Sequence, residues 1–118
     1  MTAEYSLQEF LDGKDRIIVV ADNYEIKKSA PRLWMRDGTN LSIQASDMVY
    51  SSPRKNCGPY SNVEAGYPSR ELKQLMPYAE DPDNPTATVY GYVPVEIIEE
   101  IISECGGIEW TWTYLHAK

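Results

Sequence analysis

The cleanest alternation of apolar and polar positions lies between residues 33 and 67. Leu41, Ile43 and Ala45 alternate with Ser42, Gln44 and Ser46, a period of two that predicts a strand with one core face and one face of small hydrogen-bonding groups. Asp37-Gly38 just before it is a dipeptide that tolerates the positive φ of a tight reversal, so the stretch opens as a hairpin. Asn62 to Tyr67 alternates again as a strand. Arg16 to Ala21 contains a β-branched run without polar alternation, which predicts a strand buried on both faces. Asp22-Asn23 turns it into a more exposed strand, Tyr24 to Lys28, and Ala30-Pro31 breaks that strand. Near the C-terminus Ile108, Trp110, Trp112 and Tyr114 alternate with Glu109, Thr111 and Thr113, predicting a last strand with an aromatic face.

Helical spacing appears at three places. Ser6 to Leu11 carries an N-cap serine, a capping-box partner in Glu9 and a stop in Gly13. Arg70 to Met76 presents Leu72, Leu75 and Met76 and is expected to stop at Pro77. The clearest helix is Pro94 to Cys105, with Ile97, Ile98, Ile101 and Ile102 on one face, Glu96, Glu99, Glu100 and Ser103 on the other, and Gly106-Gly107 at its end. Trp110 and Trp112 are expected to pack beneath it. Strands come first and helices later, so the expected class is α+β: one domain over residues 1–118, an antiparallel β-sheet with a C-terminal amphipathic helix packed on it, plus short helices.

Charge narrows the partners. Eighteen acidic against eleven basic residues give a formal net charge of -7, which disfavours nucleic acid and anionic membranes but leaves room for a small phosphate held by a few local donors. No basic, apolar leader opens the chain, no run reaches membrane-spanning length, and Cys57 and Cys105 fit a reduced pair. A cytoplasmic protein without cofactor or metal is therefore expected.

Catalysis finds little support. The lone histidine, His116, stands two residues from the end, and Cys57 has no evident general base. The carboxylates Glu80, Asp81 and Asp83 lie in a proline-restricted connector, and Glu99-Glu100 face away from the apolar stripe. Neither a Walker loop nor a dinucleotide fingerprint can be drawn through the glycines.

Binding chemistry concentrates elsewhere. Tyr50, Ser51, Ser52, Pro53 and Arg54 bring together a ring, hydroxyls and a guanidinium, with Tyr60 close in sequence and Gln44 and Ser46 on a strand face leading toward them. An arginine can grip a phosphate through charge-assisted bonds of about 1.5–3 kcal/mol each, and a tyrosine can stack on a base for about 1–3 kcal/mol. The competing reading is that Arg54 pairs with a surface acid and the tyrosines fill core. Nine tyrosines and three tryptophans against one phenylalanine favour surfaces apolar on one side and wet on the other. Tyr78, Tyr90 and Tyr92 flank the connector and the helix start, within reach of such a site or of a partner subunit.

The run Leu41 to Ser46, then Tyr50, Ser52-Pro53-Arg54, Gly58-Pro59-Tyr60, Val63-Glu64-Ala65-Gly66 and Val89-Tyr90-Gly91-Tyr92-Val93-Pro94-Val95 resembles a family of small phage proteins. These are the anti-Thoeris sponges, which sequester cyclic ADP-ribose isomers made by bacterial TIR-domain enzymes. The resemblance runs from about residue 15 to about residue 107. It implies a non-enzymatic phage anti-defence protein in the cytoplasm of the infected bacterial host, binding the signal intact so that its effector is not activated. It also implies a homo-oligomer built from dimers, with the signal where subunits meet; some members capture cyclic oligonucleotides at a separate site. Carried onto this chain, Arg54 is the phosphate donor, Tyr78 a base-stacking ring and Asn84 a polar anchor, with Arg32, Arg36 and Arg70 as further candidate arginines. The alternatives are an acidic inhibitor that binds a host defence complex directly, and an enzyme that degrades the same signal.

Overall fold

The computed structural model describes residues 6–115. Helix α1 (Leu7–Asp12) begins at the expected capping box: Glu9 N donates to Ser6 Oγ, and Ser6 N to Glu9 Oε1, both at 3.1 Å. Gly13 ends it in the left-handed conformation at φ 51°. Strands β1 (Ile17–Val19) and β2 (Glu25–Lys27) then form a separate two-stranded antiparallel sheet. Asp22 and Asn23 turn it with φ near 60° at both positions, the twist that suits a tight hairpin.

The main sheet is antiparallel, in the order β3 (Leu33–Trp34), β4 (Asn40–Gln44), β5 (Asn62–Gly66) and β6 (Val89–Pro94). The β3–β4 reversal centres on Asp37-Gly38, but only Gly38 adopts positive φ. Gly38 N bonds Met35 O, and Asp37 Oδ1 accepts from Thr39 N at 2.8 Å, so the aspartate acts through its carboxylate rather than through a left-handed backbone. Leu41, Ile43 and Ala45 are buried as the alternation requires.

Helix α2 (Val95–Glu104) follows β6 directly, with Pro94 as its N-cap residue, and buries Val95, Ile98 and Ile101. These join Leu33, Ile43, Val63, Tyr90 and Val93 from the sheet, and Phe10 and Leu11 from α1, in one core cluster. The α+β class with an amphipathic helix on an antiparallel sheet is thus the observed architecture. No helix among the described residues is long and apolar enough to cross a membrane.

Three local expectations are corrected. The Ile17–Val20 run is not buried on both faces: it pairs only with β2, and Ile18, Val19 and Val20 are 41%, 60% and 40% exposed. Arg70–Met76 is not a helix stopped by Pro77; a 3-10 helix instead spans Lys73–Tyr78 and includes Pro77. Ile108 to Tyr114 is not a strand but leads into helix α3 (Trp110–Leu115). Its Thr113, fully buried, accepts Trp34 N at 2.9 Å, and Glu109 N donates to Trp34 O at 2.7 Å, so the segment docks on β3 through a single antiparallel bridge, Ile108 to Met35, before turning helical. Trp110 lies beside Phe10 and stacks on Tyr114, and Trp112 meets Trp34 edge-on. The two indoles thus contact α1 and β3, and Trp110 also packs against the core cluster to which the long helix contributes. His116 lies outside the described residues.

Candidate ligand-binding surface

The loop from Ala45 to Ser61 returns β4 to β5, and its first half is tied down by serines. Ser51 Oγ donates to Ser46 O at 3.1 Å, and Ser46 Oγ accepts Met48 N at 3.1 Å, while both serines are buried. Ser52 then bridges Asn62 at the start of β5. Between these anchors Tyr50 is held by its backbone: its N donates to Glu64 Oε2 at 2.9 Å, and its carbonyl accepts Tyr92 N at 3.0 Å. The ring therefore lies against the outer face of β6.

Two side chains meet it there. The Arg54 guanidinium stands 5.5 Å from the Tyr50 ring centroid, and the Tyr92 ring stands 5.7 Å away with planes inclined by 39°. Tyr50 and Tyr92 are 45% and 46% exposed, and Arg54 is exposed as well. Among the described residues Arg54 has no carboxylate within ion-pair distance, so the competing reading of a surface salt bridge does not hold for it. A cation beside two accessible rings can take a flat ligand on the rings and an anionic group on the guanidinium.

The remaining candidates separate from this cluster. Tyr60 and Tyr90 are core residues, 3% and 0% exposed, and neither ring faces the surface. Tyr60 OH donates to Lys55 O at 2.8 Å and accepts Lys27 Nζ at 3.1 Å, and burial pushes its phenol up to about 12. Tyr90 OH donates to Pro85 O, and burial likewise raises its pKa. The Gln44 amide is spent on backbone and neighbour: it accepts Ala30 N at 2.7 Å and donates to Ala30 O and Ser42 Oγ. Ser46, as above, orders the loop. For these four the expectation of direct ligand contact gives way to a structural role, because their polar groups are already satisfied inside the fold.

Tyr78 is half-buried against the core at the end of its 3-10 helix, on the connector that runs beside β6. Asn84, on the same connector, donates to Asp81 Oδ2 at 2.9 Å. No ring contact or hydrogen bond among the described residues links either to Arg54. Arg36 lines a separate groove of about 330 Å³ with Trp34 and Trp112. Arg32 bonds Asn40 Oδ1 at 2.8 Å and the Tyr67 carbonyl, and Arg70 bonds Thr39 and pairs with Asp37 at 3.9 Å. Arg36 is also exposed, without a side-chain hydrogen bond or ion pair among the described residues, and shares its groove with the exposed Trp112 ring. Of the arginines weighed, Arg54 is the one whose guanidinium stands against an exposed tyrosine in the loop that the sequence singles out.

A cleft of about 480 Å³ lies elsewhere and is lined by Glu9, Asp12, Lys14, Asp15 and Tyr114. Three carboxylates against one amine repel a phosphate. No cluster of histidine, cysteine and carboxylate side chains suited to a metal occurs among the described residues. Sequence reasoning puts Tyr92 within reach of the site or of a partner subunit but does not count it among the ligand-binding residues, because a left-handed residue inside a strand leaves no mark in the hydrophobic pattern. No family model, curated protein or solved structure matches the chain.

Proposed function

We propose that this chain is a phage anti-defence protein that captures a cyclic ADP-ribose isomer intact and so withholds it from the effector it would activate. The observation that carries the reading is the uncommitted Arg54 guanidinium over the exposed Tyr50 ring. A phosphate on the arginine with a base on the ring uses both groups for what they do best in water. The sequence resemblance to anti-Thoeris sponges supports the same ligand class.

Capture by stoichiometry requires slow release, and an open platform achieves that only when something covers it. We propose a homo-oligomer built from dimers, in the cytoplasm of the infected bacterial host, in which a second copy closes the Arg54 surface. The β1–β2 hairpin suits self-association: Ile18, Val20, Tyr24 and Ile26 share one face and are 41%, 40%, 56% and 45% exposed. A two-stranded sheet with such a face gains from a partner.

The test is to incubate the purified protein with a mixture of cyclic ADP-ribose isomers, remove free ligand, denature by heat and weigh the released molecules by mass spectrometry. Recovery of an intact isomer supports capture. A smaller product instead indicates an enzyme. Undiminished free ligand with nothing released refutes capture and favours the acidic protein as a direct inhibitor of a host complex, its carboxylates at Glu9, Asp12 and Asp15 meeting a basic partner.

A further inference from the structure

Strand β6 contains an irregularity at the candidate site. Between the pairs Val63–Val93 and Ala65–Tyr90, β5 has only Glu64 while β6 has both Gly91 and Tyr92. Where such a bulge needs a left-handed residue it ordinarily uses glycine, which has no Cβ to clash with the backbone. Here the assignment is reversed. Tyr92 has φ 53°, and its neighbour Gly91 has no positive φ.

Both choices serve the ring pair. A methyl group at Gly91 would lie 3.3 Å from Tyr50 Cβ and 3.5 Å from Tyr50 Cδ2, so glycine there lets the Tyr50 ring rest on the strand. The left-handed backbone at Tyr92 is fixed from both sides, its N donating to Tyr50 O and its carbonyl accepting Asn62 Nδ2, each at 3.0 Å. It places the second ring 5.7 Å from the first while leaving it 46% exposed. A half-exposed ring recovers only part of the burial that would offset a disfavoured conformation. Tyr67, the other tyrosine at positive φ, differs: it follows the end of β5, precedes Pro68, and gives its carbonyl to Arg32. Tyr67 lies beyond the last residue of β5, next to a proline, whereas Tyr92 lies within a strand.

We infer that Tyr92 is a ligand-stacking residue, the second ring of a two-tyrosine platform on which a planar base lies while Arg54 takes the adjoining phosphate. This rests on the capture reading and deepens it: the bulge trades backbone comfort for a ring in the site, the pattern expected where strain is retained for binding. The platform recognises a π-face beside an anion, which defines the ligand class as a nucleotide with an accessible base.

The experiment compares wild type, Tyr92→Gly and Tyr92→Phe, using a cyclic ADP-ribose isomer as probe. Binding is followed by calorimetry, melting by scanning fluorimetry and association by sedimentation. Tyr92→Gly is expected to weaken binding about 5- to 100-fold, the loss of one stacked ring, with the melting temperature unchanged or raised and the oligomer unaltered. Tyr92→Phe keeps the ring and is expected to bind within about twofold of wild type. Wild type that binds with Tyr92→Gly binding equally well overturns this inference and leaves capture standing. So does a Tyr92→Gly protein that melts several degrees lower or changes its association state, because the ring would then be a packing or interface group. Wild type that does not bind the probe overturns the capture reading and this inference with it.

Discussion

Replacing Arg54 by alanine separates the binding role from any role in folding. The guanidinium stands 5.5 Å from the Tyr50 ring centroid, makes no hydrogen bond or ion pair among the described residues, and is exposed. An exposed cation–π contact contributes about 0.5–1 kcal/mol, so Arg54→Ala is expected to lower the melting temperature by no more than about 5 °C. Binding stands to lose far more. Two charge-assisted bonds to a phosphate, discounted for their non-additivity, contribute about 2–4 kcal/mol together, a weakening of about 30- to 700-fold in Kd. Arg54→Lys keeps the charge but not the planar fork, and its Kd is expected to fall between those of wild type and alanine. Calorimetric titration of a cyclic ADP-ribose isomer into each protein, with a thermal melt of each, reads both quantities. Alanine binding within twofold of wild type refutes the role given to Arg54. A melting loss well beyond the exposed-contact range would show that Arg54 is a structural residue.

Three further outcomes follow from the structure. Burial and then the neighbouring Arg16 push the Lys27 amine down from 10.5 to about 8; holding it charged therefore costs stability below about pH 8, and the cost is relieved between pH 8 and 10.5. Tyr60, raised to about 12, acts in the opposite sense and only above about pH 10. The melting temperature of wild type relative to Lys27→Met should thus climb between pH 8 and 10, and a flat difference would contradict the assignment. Tyr90→Phe removes a buried hydroxyl bonded to Pro85 O and is expected to destabilise by about 1–2 kcal/mol, read by urea titration. Its binding should stay within twofold of wild type if Tyr90 is a core residue only. Ile18→Ser with Ile26→Ser, on the exposed face of the hairpin, should shift sedimentation toward monomer; an unchanged distribution places the interface elsewhere.

Much of the architecture was legible because local chemistry and packing agree. The Ser6–Glu9 box, the Gly13 stop, the Leu41-Ile43-Ala45 face and the isoleucine stripe of α2 all appear where the pattern puts them. The misread stretches are those in which one pattern fits two structures. A β-branched run at Ile17–Val20 specifies a strand but not whether a second layer covers it, and here Ile18 and Val20 on one face and Val19 on the other all stay exposed. Trp110 and Tyr114 satisfy a period of two and an i, i+4 helical pair at once, and the buried bond from Trp34 N to Thr113 Oγ1 favours the helix. At the site, Tyr50 and Arg54 were legible as neighbours in one loop. Tyr60 and Tyr90 were not separable from them by sequence, since a buried tyrosine with a bonded hydroxyl looks the same as an exposed one. The Tyr92 bulge depends on the register between β5 and β6, a long-range property.

The most direct measurement of the central claim is tyrosine nitration followed by peptide mass analysis, with and without a saturating cyclic ADP-ribose isomer. Tyr50 and Tyr92 are about half exposed, and Tyr67, at 51%, serves as an accessible tyrosine outside the cluster. The account predicts that ligand protects Tyr50 and Tyr92 while Tyr67 stays reactive. Equal nitration of Tyr50 and Tyr92 in bound and free protein would contradict it.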